Sequence, residues 1–374
     1  MTFYETLLQW PASRVKQLIE SRTSTHVESA LRNAEMDLES FAALLSPAAE
    51  PYLEQMARRS QELTRQRFGN TMSLFAPIYT SNECENCCVY CGFARGRKVV
   101  RRTLNEEEIL TEAKYLNSIG YRNLLLLTGE SPSKVGFEYL LRAAQICAPL
   151  FPTLGVEVWP LSEEQYARLF DAGVSGLTMF QETYDRELYP NLHRGGRKAD
   201  FEHRLGTPER AGRAGLRKLN LGALLGLGDW RFDAFCTGLH GHFLARQFWQ
   251  SQVSISCPRL RPMGENFQAR QVVTDRNLVQ YICALRLFGP DFGLTLSTRE
   301  SPELRDNIFT LGFTQISAGS RTNPGGYATD ERTSGEQFAV SDDRPLDEVL
   351  SVLKSKGLDP VFKDWDEHGA RVVG

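Results

Sequence analysis

No stretch of this chain approaches the ~20 consecutive apolar residues that a membrane-spanning helix needs. Its opening, MTFYETLLQW, lacks the basic start and apolar core of a secretory signal. An excess of charge is missing too: 43 Lys and Arg against 46 Asp and Glu leave a net charge of −3. Wrapping duplex nucleic acid takes clustered cations, so that balance argues against such a role. Eight cysteines in 374 residues are too sparse for a disulfide-built secreted scaffold. With 41% hydrophobic and 24% charged residues, the chain reads as a globular, cytoplasmic protein with a sizeable core. Its length leaves room for two or three small domains, or for one barrel with extensions.

The cysteines themselves are unevenly spread. Cys147, Cys236, Cys257 and Cys283 stand alone and read as small buried hydrophobes. The other four crowd into Cys84-Glu-Asn-Cys87-Cys88-Val-Tyr-Cys91. Adjacent cysteines are strained disulfide partners. Two zinc knuckles, Cys84/Cys87 and Cys88/Cys91, would need a spacer that is absent here. Four-cysteine iron–sulfur runs space their ligands more widely. A third reading sets Cys87 aside and uses Cys84, Cys88 and Cys91. Three thiolates can hold three irons of a [4Fe–4S] cube and leave the fourth open for a substrate or cofactor atom. A zinc module or a non-catalytic iron–sulfur carrier stays open beside it.

Residues 1–69 read as a helical extension, with apolar residues at helical spacing and a helix start at Ser46-Pro47. From there the pattern changes to short β-like runs alternating with amphipathic stretches. Eight strands are expected: Leu74–Tyr79, Asn123–Thr128, Gly155–Trp159, Gly176–Phe180, Leu219–Leu225, Gln252–Cys257, Leu294–Ser297 and Thr314–Ser317. Helices are expected between them, including Asn105–Ile119, Ser162–Ala172, Asp229–Phe248 and Thr274–Phe288. Capping boxes at Asn105/Glu108 and Ser162/Gln165 mark two of their starts. Such alternation predicts an α/β fold, a parallel (β/α)8 TIM-type barrel over residues 70–320. A short cap follows at 321–374, with a last helix over Leu346–Lys356. The chemistry-bearing residues fall at the ends of expected strands, the face where such barrels carry their active sites. They are the cysteine loop, Thr128-Gly129-Glu130, Glu157, Gln181-Glu182, Leu227 and Ser320-Arg321.

Cys84-x3-Cys88-x2-Cys91, with Tyr90 before the last cysteine, resembles the signature of the radical S-adenosylmethionine (SAM) enzymes. The flanks narrow the resemblance: Ile78 to Phe93, Leu126 to Glu130, Val156 to Pro160, Phe180 to Tyr184, Gly222 to Leu227 and Ile316 to Thr322 are similar to the aromatic amino-acid lyase branch. They are most similar to the thiazole-pathway tyrosine lyases of that branch. This resemblance implies a radical SAM barrel with a [4Fe–4S] cluster on Cys84, Cys88 and Cys91, Cys87 being a bystander. Tyr90 would lie against the adenine of SAM. Thr128, Gly129 and Glu130 stand where relatives carry a Gly-Gly-Glu type motif for the methionine amine. Glu157 would bond the ribose hydroxyls, and Glu182 and Arg204 would pair around the SAM carboxylate, with Gln181 and Leu227 beside them. Ser317 and Arg321 would grip the substrate carboxylate, a task suited to a guanidinium fork. His193 would shuttle a proton or bond substrate. The implied reaction cleaves the Cα–Cβ bond of L-tyrosine to 2-iminoacetate and p-cresol, with a flavodoxin- or ferredoxin-type electron donor and the thiazole synthase ThiG as partners. The second cluster of hydrogenase-maturing members is not expected, because the last cysteine is Cys283. Tyrosine against tryptophan stays open at this point.

Overall fold

The computed structural model describes residues 1–33, 35–261, 267, 269–328 and 334–362. The chain begins with five helices: α1 (Phe3–Leu8), α2 (Ala12–Glu20), α3 (Ser24–Arg32), α4 (Leu38–Leu45) and α5 (Leu53–Phe68). A 3-10 turn over Pro47–Tyr52 separates the last two, starting after Ser46 with Pro47 in its first position, as the Ser-Pro pair predicts.

Strands and helices then alternate: β1 (Thr71–Ser81), α6 (Glu106–Ser118), β2 (Asn123–Thr128), α7 (Phe137–Cys147), β3 (Thr153–Glu157), α8 (Glu163–Asp171) and β4 (Gly176–Glu182). Three short helices follow, α9 (Tyr189–Leu192), α10 (Phe201–Leu205) and α11 (Thr207–Arg213), before β5 (Lys218–Ala223). The cycle resumes with α12 (Trp230–Gln247), β6 (Gln252–Ser256), α13 (Asp275–Phe288), β7 (Gly293–Leu296), α14 (Pro302–Ile308) and β8 (Gln315–Ser317). It ends in α15 (Leu346–Ser355) and β9 (Asp359–Val361). Residues 329–333 and 363–374 of the expected cap lie outside the described residues.

Strands β1 to β8 pair in parallel in chain order, and β1 also pairs with both β2 and β8, which closes an eight-stranded barrel. All eight expected strands are present, and Asn123–Thr128 has the expected bounds. The expected capping boxes form: Asn105 Oδ1 accepts from the Glu108 backbone at 3.0 Å, and Ser162 Oγ from the Gln165 backbone at 3.2 Å. The sequence pattern did not predict β9, which pairs with Thr71–Ser73 of β1. It also missed α9 to α11.

Alternation along each strand decides what the barrel encloses. Met72, Leu74, Ala76 and Ile78 of β1 are fully buried in the main core, while Phe75, Pro77 and Tyr79 line an internal cavity. The same division holds for Leu219 and Leu221 against Asn220, and for Val253 and Ile255 against Ser254 and Ser256. Barrel interiors are ordinarily filled with branched apolar residues. Here they carry Thr178, Asn220, Ser254, Ser256, Thr295 and Gln315 around a cavity of about 1040 Å³, its open mouth included. That volume suits a small-molecule site.

The N-terminal helices pack outside α12 and α13. Phe41 of α4 stacks on Phe288 with ring centroids 4.3 Å apart. Gln280 of α13 donates to the carbonyls of Leu44 and Ser46, at 2.8 Å each. Gly238 makes room for Phe41, since a Cβ there would stand 2.4 Å from the ring. No helix among the described residues is long and apolar enough to cross a membrane.

Candidate active site

The cysteine-bearing loop joins β1 to α6 above the C-terminal end of the barrel. Asn82 ties its base, donating to the Val100 carbonyl at 2.8 Å and accepting from the Arg102 backbone at 2.8 Å. The Arg101 guanidinium clasps the loop by donating to the carbonyls of Phe93 (2.8 Å) and Ala94 (2.9 Å). Gly129, just past β2, lets this loop approach: a Cβ there would lie 2.2 Å from the Glu83 carbonyl oxygen. Thr128 is buried beside it, its hydroxyl donating to the Gly129 carbonyl at 3.0 Å.

All described cysteines are free thiols. Cys84 and Cys91 pack with Tyr79, Phe93 and Leu127, and Cys88 and Cys91 pack with Tyr90, Leu188 and Leu227. Cys91 therefore bridges two small apolar groups, and the three thiols share one neighbourhood. Burial pushes the Cys84 thiol up to about 11 and raises Cys88 and Cys91 as well; neighbouring thiolates and Glu130 add to this at Cys84 and Cys88, and Glu182 at Cys91. Lys198 opposes the rise at Cys88 and Cys91. Thiols kept protonated by burial and mutual repulsion become ligands once iron supplies positive charge, so this donor set fits a cluster. Cys87 stands apart, its sulfur facing Gly195, where a Cβ would lie 3.6 Å away. No group of three His, Cys, Asp or Glu among the described residues converges on a single metal ion.

Beside the thiols runs a chain of buried charges. Glu130 accepts from Arg204 and from Asn86 Nδ2, both at 2.8 Å. Asn86 Oδ1 in turn accepts from the Lys198 backbone at 3.0 Å. The Lys198 ammonium donates to Glu182 at 2.5 Å. Burial would raise both carboxylates, but Arg204 and Lys198 together hold them below the ordinary glutamate range. The expected Glu182–Arg204 pair is thus not the one formed. Arg204 spends its fork on Glu130 and on the Phe180 carbonyl (2.7 Å), which leaves Glu182 to Lys198.

Glu182 is the one non-glycine residue with positive φ among those described, at 72°. Such a backbone costs about 1–3 kcal/mol and needs support from outside. Asp233 of α12 supplies it, its Oδ1 accepting from the Thr183 hydroxyl (2.9 Å) and the Tyr184 backbone (2.8 Å). Gln181, just before, is buried with both polar atoms of its amide unpartnered. Glu157 ends β3 inside the cavity, where burial and the charge of Glu182 push its carboxyl up to about 7.

His193 does not face the cavity. A carbonyl only accepts, so the contact from Nδ1 to the Tyr189 carbonyl at 3.0 Å puts the proton on Nδ1. Nε2 then accepts from the Tyr90 hydroxyl at 2.8 Å. Burial pushes the ring's pKa down to about 2 and keeps it neutral. The expected proton shuttle is replaced by a fixed imidazole that positions Tyr90. Leu227 is buried in the same apolar group as Tyr90 and Cys88.

Ser317 lines the cavity as expected, and Ser320 lines it with a buried hydroxyl that lacks a partner. Arg321 is not among the lining residues; it is half-buried, with its backbone N–H on the Tyr327 hydroxyl at 3.1 Å. Arg299 takes that place. It lines the cavity and lies 3.4 Å above the Phe338 ring, with no ion pair to a carboxylate among the described residues. A half-buried guanidinium in that state suits an anionic ligand. Its position just after β7 obeys the strand-end rule that picked out the other residues. Lys198 lies in a short 3-10 turn over Arg197–Ala199 and Asn86 inside the cysteine loop, and neither carried a signal of its own.

The chain matches the Radical SAM superfamily model over residues 78–237 and the Biotin and Thiamin Synthesis associated domain over residues 256–359. It is 45% identical to the 2-iminoacetate synthase of Escherichia coli (strain K12), over 97% of this chain and 96% of that protein. The 2-iminoacetate synthase of Salmonella typhimurium is also 45% identical, over 96% of this chain and 95% of that protein. The crystal structure of the FeFe-hydrogenase maturase HydG from Carboxydothermus hydrogenoformans superposes with a TM-score of 0.85 at 30% identity, covering 98% of this chain and 84% of that chain. Cysteine loop, closed barrel and near full-length identity agree: this chain belongs to the 2-iminoacetate synthase family of radical SAM enzymes.

Proposed function

We propose that this chain cleaves the Cα–Cβ bond of L-tyrosine to 2-iminoacetate and p-cresol, consuming SAM as 5′-deoxyadenosine and methionine, for thiazole formation in thiamine biosynthesis. The carrying observation is the polar barrel cavity lined by Arg299, Ser317 and Glu157, whose wall residues Tyr79 and Leu127 also pack against Cys84 and Cys91. When bound, the cluster and SAM supply one-electron chemistry that ends in hydrogen-atom abstraction.

The protein's own residues bind, orient and shield. Cys84, Cys88 and Cys91 would hold the cluster. Glu130, within reach of the cysteine loop, offers its carboxylate to the methionine amine. Lys198 and Arg204 set the positive charge of that wall, next to Glu182. Glu157 serves the ribose as acceptor or, near neutral pH, as donor. Tyr90, with Leu227, packs the side where adenine would lie. Arg299 holds the substrate carboxylate with help from Ser317 and Ser320. Tyr79, Phe180 and Phe338 give the cavity aromatic walls for a phenol ring. The imine product hydrolyses readily in water, which favours transfer to a protein partner, the thiazole synthase ThiG. Free thiols throughout suit a reducing cytoplasm.

An anaerobic assay of cluster-loaded protein with SAM, dithionite and tyrosine tests this reading. 5′-Deoxyadenosine and p-cresol are the expected products. An indole product from tryptophan, with none from tyrosine, would move the substrate. Deoxyadenosine with neither amino acid would refute a lyase.

A further inference from the structure

This chain carries a net charge of only −3, yet five cations gather at one place. Arg95, Lys98, Arg194 and Arg197 are exposed and Arg97 is half-buried. Two loops carry them, and both are fastened to the outer side of the cysteine loop. Arg95 N–H donates to the Asn86 carbonyl at 2.7 Å. Cys87 N–H donates to the Gly195 carbonyl at 3.0 Å, and Lys198 N–H to Asn86 Oδ1 at 3.0 Å. Gly196 approaches so closely that a Cβ there would stand 2.3 Å from Asn86 Oδ1. The cations therefore flank Asn86 and Cys87, next to the inferred ligand Cys88. Tyr79 and Leu127, which line the cavity, pack against the thiol group from the barrel side. The basic rim lies on the other side.

Acids of the same region do not cancel this charge. Glu130 and Glu182 are paired inside; Glu85, held by the hydroxyls of Ser131 and Ser133, keeps its charge and meets that of Arg197, and Asp200 caps α10, which leaves two carboxylates against five cations. None of the five cations forms an ion pair with a carboxylate among the described residues.

We propose that this rim is the docking surface for an acidic one-electron carrier protein, which approaches the cluster through Asn86 and Cys87. The proposal rests on the reading that SAM cleavage here consumes an electron. Like charges clustered on one rim act within a Debye length of about 8 Å at physiological salt. They raise encounter rates with an acidic partner by about 10–1000-fold. An RNA would also be attracted, but nothing in these loops offers the aromatic platforms that bases stack upon. A carrier fits better because the cations flank Asn86 and Cys87, beside the inferred ligand Cys88.

The test uses cluster-loaded protein, the double variant Arg95→Glu with Arg197→Glu, and a flavodoxin as probe. Flavodoxin binding is measured at low and at physiological salt, and deoxyadenosine formation is driven by reduced flavodoxin or by dithionite. The expected result is at least a tenfold weaker flavodoxin Kd in the variant, with a shallower salt dependence. Flavodoxin-driven turnover falls in step while dithionite-driven turnover is unchanged. Equal flavodoxin binding by both proteins overturns the proposal, as does an equal loss with both reductants, and so does RNA binding that excludes flavodoxin. Salt-sensitive flavodoxin binding that the variant loses, with no SAM cleavage under either reductant, would uphold the docking surface and refute the activity.

Discussion

At Arg299 a half-buried guanidinium has no carboxylate paired with it among the described residues, and desolvation lowers its pKa. A bound amino-acid carboxylate would complete it with charge-assisted hydrogen bonds, each contributing about 1.5–3 kcal/mol. Arg299→Lys keeps the charge but loses the fork, so kcat/KM for tyrosine should fall about 100-fold. Arg321→Lys should change it less than threefold. The reverse ranking would return the carboxylate to Arg321. Asp233 gives a second residue-scale prediction. Burial raises its carboxyl from 3.8 to about 8, and its Oδ2 has no partner, as suits a neutral acid. An acid with a raised folded pKa stabilises the fold while protonated. That contribution is complete below about 4 and is lost as pH rises through about 8. Asp233→Asn keeps the acceptor for Thr183 and Tyr184 but cannot ionise. Its Tm should decline less than the wild type's between pH 5 and 8; parallel curves would refute the neutral acid. Residue types and strand-end spacing made the cysteines, Glu130 and Glu157 legible as candidates, and the family resemblance added Ser317. They could not tell which way His193 turns, because Tyr90 and the Tyr189 carbonyl reach it only in the folded loop. Nor could they sort two cations, Arg204 and Lys198, between two acids, so the Lys198–Glu182 pair was out of reach.

At the level of elements, periodicity predicted strands where alternation is strict and helices where a capping box announces them. β9 escaped because Asp359–Val361 is three residues long and contains Pro360, so it has neither alternation nor length. Helices α9 to α11 escaped for a similar reason: they have four, five and seven residues, too few for a helical period to show. What the pattern also hides is the close approach between α4 and α12. Gly238 sits inside a helix, where glycine costs about 1 kcal/mol against alanine. Its place is explained by Phe41, which occupies the space a side chain would need. Gly238→Val should lower stability by about 1–3 kcal/mol through overpacking despite the better helix propensity. Adding Phe41→Leu should recover part of that loss, read as Tm by calorimetry. A Gly238→Val protein as stable as the wild type would show that α4 can shift freely on the barrel.

For the whole molecule, the notable choice is an interior of small polar side chains where a barrel could be filled. Asn220 bonds Thr178 at 3.3 Å and Ser256 at 2.9 Å, and accepts from Ser254 at 3.2 Å. This ladder satisfies its own groups without closing the cavity. Breaking one member would strand the others, so single substitutions mix two effects. Replacing Thr178 and Ser256 by Val and Asn220 by Leu together removes the ladder's centre with two of its partners, leaves the half-buried Ser254 hydroxyl to the cavity's water, and adds apolar volume where space exists. Each buried methylene contributes about 0.8 kcal/mol, so the triple variant should unfold at a higher temperature than the wild type. Tyrosine-dependent deoxyadenosine formation should be lost in the same protein, since the cavity it needs would be narrowed. Iron content should stay unchanged, because the cysteine loop is anchored by Asn82 and Arg101 at the rim and not by the barrel floor. A higher Tm with full activity would mean that substrate binds outside the barrel. A lower Tm would mean that the ladder contributes more to holding the strands together than apolar packing can replace.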